Sequence, residues 1–157
     1  MVIASLYNIS HAVPTQKLFI EFITSPSPSP PAIASEGYPP LPAAILAKYA
    51  SIVTTPPGTI KVTHNSINNT DMISDLLIKQ WPVWFSNEDW PVLNQPNSYV
   101  YTKTELCLFL EGQVTVAISG SSAPPVTIRA GDFAVLPQGL DSIWTIIAPV
   151  KKYYYEM

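Results

Sequence analysis

Between Tyr99 and Gly112 the chain reads YVYTKTELCLFLEG, and apolar residues fall on both parities of an extended strand. Residues two apart share a strand face. Tyr99, Tyr101, Glu105, Cys107 and Phe109 therefore line one side, and Val100, Leu106, Leu108 and Leu110 the other. A strand apolar on both sides is covered twice. The pattern predicts one face toward a barrel interior and the other against a second sheet or a partner. A second stretch, GDFAVLPQGLDSIW from Gly131 to Trp144, predicts a strand at 133–136 and a tight turn at Pro137-Gln138-Gly139. Proline's fixed φ and glycine's freedom suit such a turn.

Alternation predicts further strands at 59–63, 113–119, 126–129, 142–148 and 151–156, with Gly112 ending the strand before it. One helix is expected from Asn69 or Thr70 to Lys79, with Met72, Ile73, Leu76 and Leu77 on its buried face. The aromatic run Trp81-Pro82-Val83-Trp84-Phe85 is too large to be left in water. Short strands with turn signals at this spacing indicate an all-β jelly-roll barrel carrying one or two short helices.

The first 57 residues have a different texture. They hold ten of the seventeen prolines, including SPSPSPP from Ser25 and YPPLP from Tyr38, which favour extended chain. Within them, 17–23 (KLFIEFI) suits a short strand or helical turn, and 43–50 (AAILAKYA) a short helix. The expected organisation is a proline-rich extension over 1–57 and a β domain over 58–157.

Composition narrows the function classes. Apolar residues make up 47% and charged ones only 12%, about half the ordinary charged share, which points to an oligomer or to a bound subunit of a larger complex. A net charge of −3, with Arg129 the sole arginine, argues against direct nucleic-acid binding. The single Cys107 excludes an internal disulfide framework. No apolar run approaches the length of a membrane span. A soluble intracellular protein is expected, with a plastid location left open.

The chemistry centres on Glu105. A carboxylate among tyrosines on an interior face is costly unless paired or hydrogen-bonded, so Glu105 is either a satisfied structural carboxylate or a working group. Tyr99, Tyr101, Glu105, Ser142 and Trp144 together would set hydrogen-bonding heads on apolar walls, the make-up of a small-molecule site. The same aromatics could instead fill the barrel as core. Lys103 could pair with Glu105, although a rim position suits it better. Asp132 and Asp141 are expected to cap turns.

The spacing itself resembles the two cupin signatures, G-x5-H-x-H-x3-4-E-x6-G and G-x5-P-x-G-x2-H-x3-N. Glu105 and Gly112 keep the frame of the first, and Gly131, Pro137 and Gly139 that of the second. Tyr99 and Tyr101 stand at the paired-histidine positions, Ser142 at the third histidine and Ile146 at the asparagine. WPVW, YVYTKTE, LEGQVTV, AGDFAVLPQGL and the closing KKYYYE, in this order, are similar to a branch of small single-domain cupins. That branch is grouped with ureidoglycine aminohydrolase-like and ethanolamine-utilisation cupins and a plastid-transcription-associated cupin. The resemblance covers 59–157 and implies a jelly-roll barrel that pairs through its outer sheet.

With Glu105 the one good ligand left, no metal or other cofactor is expected. His11 and His64 lie outside both signatures, and a metal pair of His64 with Glu105 is the remote alternative. Three functional readings follow: a metal-free binder of a small polar metabolite, an accessory subunit of a larger assembly, or an enzyme using Glu105 and a tyrosine as base and acid.

Overall fold

A computed structural model describes residues 40–86 and 93–157. The element expected at 17–23, the SPSPSPP run and the 87–92 part of the loop lie outside the described residues. Ten elements follow in order: α1 (Ala43–Lys48), α2 (Ala50–Val53), β1 (Lys61–Thr63), α3 (Thr70–Asp75), β2 (Val83–Phe85), β3 (Pro96–Val100), β4 (Glu105–Ile118), β5 (Val126–Arg129), β6 (Phe133–Leu136) and β7 (Asp141–Glu156). The strands form one antiparallel sheet in the order β1-β6-β4-β7-β2, with β3 added on β7 and β5 on β4. This is the expected mostly-β jelly roll, with three short α-helices among the described residues where one or two were expected.

Two strands are longer than the pattern suggested. Gly112 does not end a strand; β4 runs through it, and β7 runs through Pro149. The two breakers face each other. Gly112 has φ +85°, and a Cβ there would lie 2.1 Å from the Pro149 carbonyl oxygen. Pro149 has no N–H for the ladder and is tolerated because the register slips at this point, from Phe109↔Lys152 to Gln113↔Ala148. At this corner both long strands change partners. β4 pairs β6 before it and β5 after it, while β7 pairs β3 before it and β2 after it.

The two faces of β4 separate as the alternation requires. Cys107, Phe109, Val114 and Val116 join Tyr101, Leu136, Trp144, Ile146 and Tyr154 in an interior core. Leu106 and Leu108 join Phe133, Val135 and Tyr155 in an outer core, whose cover is the chain's own helical segment. Tyr49 from the junction of the first two helices, Val53 from the second, Met72 and Leu76 from α3 and its end, then Ile78 and Trp81 complete it. Polar ties hold this cover in place. The Tyr49 hydroxyl and Lys48 ammonium donate to Asp75 at 2.7 and 2.5 Å. The Leu41 N–H donates to the Tyr155 hydroxyl, and the Trp81 indole to the Leu76 carbonyl.

Asn69 caps α3 by accepting from the Met72 N–H at 3.0 Å. The helix is shorter than expected. Leu77 adopts a left-handed conformation, φ +52°, which ends α3 before a 3-10 turn over 78–80 and leaves its side chain 44% exposed. Leu77 is thus not part of the buried stripe. The aromatic run also divides. Trp81 enters the outer core, Trp84 packs on the interior one, and Phe85 remains 56% exposed. Among the described residues no helix is long and apolar enough to cross a membrane.

Candidate functional site

Glu105 opens β4, and its side chain points into the barrel. The stretch before it is not one continuous strand with β4, as the spacing suggested. β3 stops at Val100, and the chain turns through 101–104. The cause lies in the facing turn. The Tyr101 N–H donates to the Leu140 carbonyl, the Tyr101 carbonyl accepts from the Gly139 N–H, and the Gln138 N–H donates to the Thr104 hydroxyl. Pro137-Gln138-Gly139 thereby bends the chain while keeping both tyrosines turned inward. Their rings meet edge-on with centroids 4.7 Å apart, Tyr101 buried and Tyr99 partly so.

The partner of Glu105 is Lys152, a residue the alternation of KKYYYE did not single out. Its ammonium forms an ion pair with the Glu105 carboxylate, the two side chains being 6% and 10% exposed. Among the described residues three rings surround that ammonium: Trp144 at 5.0 Å, Trp84 at 5.2 Å and Phe109 at 5.9 Å. Cation–π attraction is strongest when the cation is out of water. Burial is the largest single influence and would depress the Lys152 pKa, yet the Glu105 carboxylate, with Cys107 and Tyr99 adding to it, holds the group above its ordinary 10.5. A signal for Lys152 did exist, since it shares parity with buried Val150 and Tyr154.

Register supplies a second reason for a lysine here. Glu105 lies directly opposite Glu156, and like charges across a strand pair repel. Lys152 neutralises one from inside the barrel, and Lys103 reaches the other from the rim at 3.6 Å. Lys103 therefore pairs with Glu156, not Glu105. Tyr99 has its pKa raised by burial and by Glu105 and Glu156, and Tyr101 well more so by burial and Glu105, so both phenols stay protonated near neutrality. Burial raises the Cys107 thiol strongly, making it an inert hydrophobe.

Ser142 is fully buried, and its hydroxyl donates to the Tyr99 carbonyl at 2.8 Å, a cross-strand tie. Trp144 is 3% exposed and stacks near Phe109, with centroids 6.4 Å apart. Its indole N–H has no hydrogen-bond partner, the one such buried side-chain atom among the described residues. The Tyr101 phenol feels that N–H but lies outside hydrogen-bond geometry. A buried donor without an acceptor calls for an explanation such as an internal water or a ligand.

The residues at the cupin ligand positions do not fit a divalent metal. Tyr99 and Tyr101 are neutral phenols, Ser142 donates to backbone, and Glu105 already neutralises an ammonium. Among the described residues no three His, Cys, Asp or Glu side chains converge. His64 does not approach Glu105. It lies 3.1 Å from Asp132, whose carboxylate caps the N–H groups of Asn65 and Arg129. An open groove of about 460 Å³ lined by Ile67, Thr70, Ile73, Ser74, Leu77, Lys79 and Gln80 lies on the helical cover, apart from these groups.

The sequence of residues 86–154 matches the model of the EutQ-like cupin domain. No curated protein matches the chain. Among solved structures, a DUF861 family protein from Thermotoga maritima is 24% identical, with 63% of this chain and 100% of that one covered and a TM-score of 0.53. The Clostridium difficile EutQ protein is 13% identical, with 49% and 68% covered and a TM-score of 0.37.

Proposed function

This chain is a small cupin, and on that premise we propose that it is a metal-free binder of a small polar ligand, taken into the barrel beside Trp144. The observation that carries this reading is the buried indole N–H without an acceptor, next to an ammonium–carboxylate pair walled by aromatic rings. Such a wall of rings with a few polar heads suits a metabolite bearing a carbonyl or carboxylate oxygen. That oxygen would accept from Trp144. Acid–base catalysis is less well supported, because Glu105 is held by an ammonium and both tyrosines are kept neutral.

The test is a thermal-shift screen of small carboxylates, ureides, amides and sugars. A hit should raise the melting midpoint saturably in the wild type and lose its effect in Trp144→Phe. An experimental structure showing an internal water fixed on the indole N–H, together with a blank screen, would overturn the binding reading. One metal ion per chain in protein purified without a metal-affinity tag would overturn the metal-free part.

An accessory role in a larger assembly is the second reading. It is favoured by Phe85, Leu93, Val100 and Ile147, large apolar side chains left in water on a surface with few charges. The outer sheet of the barrel is already covered by the chain's own helices. A homodimer would therefore have to use another surface. Light scattering across a dilution series distinguishes a monomer from such an assembly.

A further inference from the structure

We propose that the interior of this barrel is a cation site filled permanently by the chain's own lysine, the Lys152 ammonium standing as resident cation between Glu105 and the rings of Trp84, Phe109 and Trp144. This rests on the metal-free reading above and says which positive charge accompanies Glu105 where no metal does. Where an interior carboxylate is retained, something positive must accompany it, because an uncompensated charge is not sustained out of water. Tyr99, Tyr101 and Ser142 beside it supply nothing positive, and nothing anionic besides Glu105 itself. The cation arrives instead on a tether, from the strand facing β4, opposite Phe109.

The surroundings are those of an ammonium and not of a filler methylene chain. Three ring faces stand 5.0–5.9 Å from Nζ, the separation at which a cation is held by the quadrupole of each ring. A divalent ion would need several anionic or imidazole donors, and a single carboxylate with aromatic walls favours an organic monocation. The structure thus assigns the cavity to the alkylammonium class, with Lys152 as positioning residue for Glu105.

Lys152→Ala vacates the site by the atoms of one propylammonium ion, and that ion is the probe. In the full-length Lys152→Ala protein, propylammonium chloride should raise the melting midpoint saturably at constant ionic strength, while 1-propanol should not. The wild type should not respond, its site being filled, and Glu105→Gln/Lys152→Ala should lose the response. Equal rescue by propanol, or no rescue by either, would overturn the proposal. If Lys152→Ala does not fold, the comparison moves to Lys152→Arg and Lys152→Met. Arg should keep the wild-type midpoint more nearly than Met, and the reverse order would sink the idea. A metal in the wild type would fail the metal-free reading itself. A metal-free wild type whose variant ignores propylammonium would fail this inference alone.

Discussion

Glu105→Gln exchanges one carboxylate oxygen for an amide nitrogen and changes almost no volume, so its effect isolates charge. In the wild type the carboxylate and the Lys152 ammonium are 10% and 6% exposed, and neither can recover its hydration without opening the barrel. Breaking such a buried pair from one side costs about 3–5 kcal/mol, because the remaining ion stays buried without a counter-charge. Three ring faces still hold the ammonium in the variant, each contributing on the order of 0.5–2 kcal/mol. Glutamine's carbonyl can also still accept from it. The expected loss is therefore at the lower end, about 3 kcal/mol, with the fold retained.

Alkaline pH separates this account from a steric one. In the wild type Lys152 has a raised pKa, so its stabilisation is fully present below the ordinary value of 10.5 and is lost as pH rises past it. In Glu105→Gln the main raising partner is gone while burial remains, so the neutral amine is the better-tolerated form. The deficit of the variant should therefore shrink as pH rises toward the ordinary lysine value of 10.5. Urea unfolding followed by tryptophan fluorescence at several pH values measures both effects. The double variant Glu105→Gln/Lys152→Met should be more stable than the sum of its single changes predicts, since it buries no lone charge. A variant within about 0.5 kcal/mol of wild type, or a deficit independent of pH, would refute the reasoning.

Three further outcomes follow from the fold. Gly112→Ala should cost at least about 1–2 kcal/mol for the left-handed backbone, and more because its Cβ meets the Pro149 carbonyl; denaturant midpoints measure it. A chain beginning at Pro57 loses Tyr49 and Val53 from the outer core; burial of Val53 alone contributes about 1.5–3 kcal/mol. That protein should melt lower and self-associate in light scattering. Asn69→Ala removes the cap on Met72 and should cost about 1 kcal/mol in the same unfolding assay.

The parts of this molecule legible in the sequence were those governed by period and by punctuation. The two faces of β4 followed from alternation at residues 105–110, and the Pro137-Gln138-Gly139 turn from its residue types. Gly112 and Pro149 misled because each is a breaker when read alone. Only their opposition across two strands shows that one makes room for the other. Leu77 carried no local signal for its left-handed backbone. For the candidate site, Glu105 stood out as an isolated carboxylate on an apolar face. Lys152 was hidden by Lys151 beside it, since two adjacent lysines near a chain end read as a solvated pair. Ser142, placed by the resemblance at a ligand position, is tied to backbone, which spacing cannot reveal.

The corner at Gly112 and Pro149 also sets how this barrel breathes. Proline contributes no amide there, so the β4–β7 ladder is two panels joined at a seam, 105–109 with 152–156 and 113–118 with 142–148. Hydrogen exchange should therefore report two protection classes, the first panel being the slower because the helical cover rests on it. The ammonium and its carboxylate sit in the slow panel, whereas Trp144 belongs to the other. A ring that closes the cage thus rides on the element free to open first. If exchange in that panel is the faster, entry to the interior is expected there, with the ion pair left intact behind it.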